Sequence, residues 1–310
     1  MSAASLLFDA PGPRARARYR LFTLLGFLLA VGTLGLVLWK LGQSGQLDGA
    51  MWSRFVLNSD VWTQYLVPGI IKTLQAAALS IVLALVFGLL FGMGRLSRVA
   101  PVRWFCGVVV EFFRAVPVLL MMYFAYGVYA ANNVFGVDFN AFYGVVTGLT
   151  LYNGSVIAEL VRSGVHQLPR GQSEAGLSLG LTPGQVLRSI ELPQALTAML
   201  PALVGQLVVI LKDSALGTAI TYPELLQQGR DAGTAYAAVI PAYVVVALIF
   251  IVINYGLTVV AGRVERRINR RGRAAGGTIT NAMPGAPGGS GAMASTGLAG
   301  DNVQNLDPRA

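Results

Sequence analysis

Side chains able to do covalent or proton-transfer chemistry are few in this chain, and they do not gather. One cysteine, Cys106, and one histidine, His166, are present among 310 residues. A single residue of each type builds neither a disulfide nor a multi-ligand metal site. No serine, threonine or cysteine stands in a recognisable nucleophile–base arrangement, and no carboxylate dyad is evident. A phosphate-cradling P-loop needs G-K-[ST], because its lysine reaches the terminal phosphates. The three lysines, Lys40, Lys72 and Lys212, follow Trp39, Ile71 and Leu211, never a glycine. The chain is therefore expected to catalyse nothing itself and to hold no cofactor. What remains are polar residues set within or between long apolar runs: Glu111 and Arg114, Asn153, Glu159 and Arg162, Gln206, and Lys212-Asp213-Ser214.

Composition says what must position them. Hydrophobic residues make up 55% and charged residues 12%, against roughly a quarter charged in a soluble domain. An all-α polytopic membrane bundle follows. The net charge of +9 is no nucleic-acid signal, because the basic residues cluster at the ends of apolar runs, where topology determinants sit. Six spans are predicted: Leu21–Trp39, Pro68–Gly94, Trp104–Ala131, Phe142–Leu160, Ala195–Leu211 and Ala237–Ala261. Glu111 and Arg114 leave an alternative for the third, in which residues 100–114 lie along the membrane surface. Residues 42–65, with Trp52, Phe55, Trp62 and Tyr65, suit a surface segment. Residues 1–20 and 274–310 read as disordered. The first apolar run is too long and too late for a cleavable signal.

Charge orients the bundle. Arg14, Arg16, Arg18 and Arg20 precede the first span; Arg95, Arg98 and Arg103 follow the second; Arg162, Arg170 and Arg188 follow the fourth. Six arginines between Arg263 and Arg273 follow the last, whereas the intervening loops hold only Arg54 and Arg230 clear of span ends. Both termini and the long loop 162–193 are thus expected in the cytoplasm.

That loop carries the sharpest pattern: Glu174-Ala-Gly-Leu-Ser-Leu-Gly180, then Ile190, Leu192 and Pro193. Two short helices, 171–179 and 183–190, are expected, with Gly180 between them supplying a left-handed backbone. Thr182 is placed to cap the second helix, and Pro193 to re-aim the chain into the next span. Ala175, Leu177 and Leu179 offer small and apolar docking surface.

The loop resembles the EAA loop of ABC importer permeases, E-A-A-x3-G-x9-I-x-L-P, with Gly176 standing where that pattern has its second alanine. Glu111-Phe-Phe-Arg-Ala-Val-Pro117, Asn153-Gly-Ser-Val-Ile-Ala-Glu159 and Ile210-Leu-Lys-Asp-Ser-Ala-Leu216 are similar to stretches of polar amino acid permeases, most of all those of actinobacterial glutamate uptake. The resemblance spans residues 66–262. It implies a five-helix core, from which the extra first helix at 21–65 and the basic, then disordered, cytoplasmic tail from 263 to 310 depart. It also implies a bacterial plasma-membrane location and ATPase subunits, holding ATP and magnesium, docked on Glu174, Ala175, Gly176, Gly180, Ile190, Leu192 and Pro193. A second permease subunit, an extracytoplasmic binding protein and an amino acid substrate complete the expected assembly.

Individual residues keep plain alternatives. Glu111 with Arg114, and Glu159 with Arg162, read as structural ion pairs. Asn153 and Gln206 are interhelical hydrogen-bonding residues or lining of a translocation path. Lys212, Asp213 and Ser214 are a substrate-attracting cluster or an interfacial Lys–Asp anchor. An ion-coupled secondary carrier is a rival reading, but it usually leaves more ionisable residues deep in spans; a non-transporting scaffold or sensor is another.

Overall fold

In hydrocarbon, every backbone N–H and C=O must be paired inside the protein, so apolar runs of span length become helices. The computed structural model, which describes residues 12–275, has only helices and turns among those residues. In order they are α1 (Pro13–Gln43), α2 (Gly49–Val56), α3 (Val67–Arg95), α4 (Ala100–Ala115), α5 (Val118–Asn132) and α6 (Val137–His166). Then follow α7 (Arg170–Ser178), α8 (Pro183–Val186), α9 (Leu192–Asp213), α10 (Leu225–Ala235) and α11 (Val239–Ala275). One compact unit ends at Arg270. The disorder expected at residues 1–11 and 276–310 lies outside the described residues.

The all-α expectation is borne out, with corrections to the spans. Five helical stretches are long and apolar enough to cross a membrane, or six if α4 and α5 count as one. The third predicted span is not straight, since α4 and α5 meet at a bend of 100°. Pro117 causes the break: it has no N–H to donate and restricts the residue before it, and Val116 is extended. The surface alternative for residues 100–114 therefore fits α4. The second span starts earlier than Pro68, because a π-helical turn over Val61–Leu66 runs straight into α3. Residues 13–20 and 274–275, expected as disordered, are helical, and so is the basic stretch 263–273 between the last span and the tail: they extend α1 and α11. The polar stretch after α9 is also ordered, as a 3-10 turn over Ser214–Ile220 followed by α10.

The packing rests on small residues. Along α3, Ala76, Ser80, Ala84, Gly88 and Gly92 recur every fourth position and all are buried, giving one face on which another backbone can approach closely. That face meets α6: a Cβ at Gly88 would lie 2.4 Å from Ile157 Cγ2 and 3.0 Å from the Gly154 carbonyl oxygen. Met122 of α5, fully buried, fills the space beside Gly148 of α6.

A second cluster closes the far end of the bundle. Phe55 of α2, Val61, Leu66, Leu225 of α10 and Val246 of α11 pack together. Tyr222 donates its hydroxyl to the Lys72 carbonyl at 2.9 Å, and the Leu225 N–H donates to Thr73 Oγ1 at 3.0 Å. Both bonds fix the start of α10 on the start of α3. In contrast, the apolar window of α1 has no buried residue, so that helix adds nothing to the core.

Candidate functional site

The α6–α9 connection is built by local rules. Helix α7 ends in paired backbone bonds: Leu181 N–H donates to the Gly176 carbonyl and Gly180 N–H to the Leu177 carbonyl. This closure needs a left-handed residue after the helix, and Gly180 has φ +81°. The next turn is capped by Gln185, whose Oε1 accepts from the Thr182 N–H at 2.8 Å and from its hydroxyl at 2.9 Å. Pro193 does not break the chain. Instead a π-helical turn over Leu187–Glu191 leads into α9, with Leu192 N–H donating to the Leu187 carbonyl. The widened turn relieves the clash a proline ring makes with the carbonyl four residues back. The helical path is unbroken from Pro183 to Ile220.

The two halves of the loop are clamped together. Gly176 is buried against Val186 and Ile190, and a Cβ there would lie 2.9 Å from each. Gln194 Nε2 donates to Gln172 Oε1 at 3.2 Å, joining α7 directly to α9. Opposite that seam, Glu174, Ala175, Leu177 and Leu179 face outward, and Leu179 is 81% exposed. Ile190 and Leu192 are half-buried, and Pro193 is exposed. An exposed leucine pair on a loop whose backbone is this well pinned is a rigid protruding surface, suited to docking another protein.

Where α3, α4 and α6 meet lies an ion cluster. Arg95 ends α3 with only 12% of its side chain exposed, and its two terminal nitrogens reach Glu111 and Glu159 at 2.8 Å each. Arg162 reaches Glu159 at 2.6 Å, whereas Arg114 stands off at 3.7 Å from Glu159 and 3.8 Å from Glu111. The sequence pairing by i,i+3 spacing thus describes only part of the cluster. Arg95, absent from that pairing, is its hub and ties α3 to α4 and α6. Its signal was a guanidinium closing a long apolar run at the level of two glutamates. Four residues on from Arg162, His166 places Nδ1 2.7 Å from the Arg162 carbonyl oxygen.

Midway along the bundle, Asn153 of α6 is wholly buried. Its Nδ2 donates to the Leu149 carbonyl at 2.9 Å and its Oδ1 accepts from Gln206 of α9 at 2.5 Å. These two candidates, 53 residues apart, are brought together. At the end of α9, Lys212 is exposed, Asp213 half-buried and Ser214 buried with its hydroxyl donating to the Leu211 carbonyl. No ion pair joins Lys212 to Asp213, so of the two readings left open for them the Lys–Asp anchor does not form; adjacent helical positions point their side chains apart. The sequence reading missed Glu224, which is fully buried and accepts from the Leu226 and Gln227 N–H groups at the start of α10. Among the described residues, no cluster of histidine, cysteine and carboxylates could hold a metal.

Residues 84–270 match the family described as the binding-protein-dependent transport system inner membrane component. The chain belongs to that family. It is 50% identical over 234 residues to the glutamate transport system permease protein GluD of Corynebacterium glutamicum, covering 76% of this chain and 85% of that protein. It is 34% identical over 208 residues to the probable glutamine ABC transporter permease protein GlnP of Bacillus subtilis, covering 66% and 93%. A solved amino acid ABC transporter is similar with a TM-score of 0.60 at 26% identity, over 66% of this chain and 95% of that one. An inward-facing MetNI methionine ABC transporter, at 22% identity and TM-score 0.58 over 68% and 99%, shares the fold. This permease is therefore a multi-pass membrane subunit of an ABC importer. The family match begins within α3 and leaves α1 outside it.

Proposed function

We propose that this permease imports an acidic amino acid, glutamate first, or a close amide relative, with the α6–α9 loop as the contact through which a separate ATPase drives it. The carrying observation is the loop itself, in which Gly180 and Gly176 pin a rigid seam behind exposed Leu177 and Leu179. The likeness to a glutamate permease at 50% identity supports the substrate. ATP and magnesium belong to the ATPase subunits, and this chain contributes no cofactor. A second permease subunit and an extracytoplasmic binding protein complete the assembly. The charge bias at Arg95, Arg98, Arg162, Arg170 and Arg188 supports an orientation with this end of the bundle, and with it both termini, on the cytoplasmic side of a bacterial plasma membrane.

Motion has a physical route. The loop continues directly from α6 and is bonded through Gln172 and Gln194 to α9. A displacement of α7 thus acts on both helices that meet at Asn153 and Gln206. That amide pair can exchange its mutual bond for bonds to a polar substrate, which supports reading it as a lining of the path. Lys212, exposed at the outer end of α9 near Asp213 and Ser214, attracts a carboxylate toward the path.

The test is affinity purification from the native membrane with Gly180→Val beside the parent. A β-branched residue at positive φ is strained by roughly 1–2 kcal/mol, enough to distort the loop while leaving the bundle inserted. Co-purification of an ATPase and ATP-dependent glutamate uptake, both lost in the variant, are expected. Uptake that persists without ATP and collapses with an uncoupler would instead establish a secondary carrier. Bound partners with no uptake of any amino acid would make the chain a scaffold.

A further inference from the structure

Three guanidiniums that serve the transport reading only as markers of orientation surround one cavity. Arg98, in the turn between α3 and α4, and Arg170 and Arg188, on the α6–α9 loop, line a cavity of about 1170 Å³. All three side chains are exposed, and among the described residues none forms an ion pair. Glu174 and Glu191 also line the space without pairing with them. The cavity therefore holds one net positive charge and three free forks, each able to grip two oxygens of a phosphate.

Part of its lining is apolar and leads onto α4. Val99, just before α4, and Val102, on it, line the cavity, and Trp104, Phe105 and Val108 continue along α4 with 71%, 58% and 49% exposure. Turned 100° from α5, α4 cannot continue that span across a bilayer and fits the interface, its apolar side toward acyl chains. A basic cavity bordered by an interfacial apolar helix presents, in one place, partners for both parts of a phospholipid.

We propose that this cavity binds the phosphate headgroup of an anionic phospholipid, with its acyl chains along Val99, Val102 and the exposed face of α4. The headgroup bridges Arg98 on the bundle to Arg170 and Arg188 on the loop. It thereby holds the loop against the α3–α4 turn and makes coupling sensitive to lipid composition.

The experiment uses the full chain in mild detergent, without ATPase or substrate, so its outcome is independent of the transport reading. Native mass spectrometry follows retention of phosphatidylglycerol and phosphatidylcholine by the parent, by Arg98→Gln/Arg170→Gln/Arg188→Gln, and by Arg54→Gln as a control on α2. Phosphatidylglycerol retained by the parent and the control, and about tenfold weaker in the triple variant, is the expected result; a charge-assisted bond lost would account for that factor. Equal retention by the triple variant, or equal retention of phosphatidylcholine, overturns the proposal. Inorganic phosphate and glycerophosphoglycerol are added in competition. Displacement of the lipid by either at equimolar concentration would make this a free-anion site and overturn the lipid assignment. If the triple variant aggregates, Arg98→Lys and Arg188→Lys, which keep charge but lose the fork, are expected to weaken retention singly; unchanged retention in both overturns it.

Discussion

Gln206 Nε2 donates to Asn153 Oδ1 at 2.5 Å, joining α9 to a position on α6 with no exposed surface. Such bonds within membranes average about 0.6 kcal/mol and reach about 1.7, because the unfolded state in the membrane also finds partners. A double-mutant cycle of Asn153→Ala and Gln206→Ala, read by unfolding in mixed micelles, is expected to give a coupling energy in that range. Both single variants are also expected to raise the KM for uptake if the pair meets substrate. A coupling energy of zero with unchanged KM would remove the pair from both roles.

Arg95 and Arg114 face the same two glutamates but should not be equivalent. Arg95 is nearly buried and reaches both at 2.8 Å, while Arg114 is 37% exposed and stands 3.7–3.8 Å away. Removing one partner of a buried pair strands a charge and costs about 3–5 kcal/mol, whereas exposed pairs contribute about 0–1. Partial exposure of Glu111 and Glu159 lowers the first figure. Arg95→Gln is therefore expected to lose roughly 2 kcal/mol and Arg114→Gln less than about 1, by thermal unfolding in detergent. The reverse order would show that Arg95 is not the hub.

The helix contacts make a further contrast. A Cβ at Gly88 meets Ile157 and the Gly154 backbone, and one at Gly92 meets Val161 and the Ala158 backbone, whereas one at Gly107 of α4 meets nothing within 4 Å. Backbone cannot move aside cheaply. Gly88→Ala is expected to lose at least about 2 kcal/mol through forced repacking. Gly107→Ala is expected to be neutral or to gain up to about 1 kcal/mol through helix propensity. Detergent-solubilised yield and melting temperature distinguish the two.

Much of this arrangement was legible in the sequence, and the rest was hidden for identifiable reasons. Span existence follows from apolar length, and the loop from its polar interruption with Gly180 at the required turn. Span ends were misplaced because a helix can extend past its apolar run into a polar continuation, as in residues 13–20 and 263–275. The bend at Val116–Pro117 was foreshadowed by Glu111 and Arg114, but its angle depends on packing. Arg95 as a hub and the pairing of Asn153 with Gln206 are distant relations that spacing along one helix cannot express. Glu224 went unseen because full burial of a carboxylate in a polar stretch leaves no mark on the local pattern.

Glu224 carries the last prediction. Burial at the foot of α10 pushes its carboxyl from an ordinary 4.5 up to about 7, against the lowering effect of the two backbone N–H donors at Leu226 and Gln227. The folded state thus prefers the protonated acid. Stability from this preference is fully present below pH 4.5 and is lost as pH rises to about 7; the loss is at most about 3 kcal/mol. Glutamine at 224 removes the titration, but it keeps one acceptor oxygen where the glutamate uses both. Glu224→Gln is therefore expected to be less stable than the parent at pH 4.5 and to gain on it steadily up to pH 7, with no further change above. Melting temperatures of both proteins from pH 4.5 to 8.5 test this, and parallel curves would show that Glu224 stays ionised throughout and that its helix-capping bonds outweigh its burial.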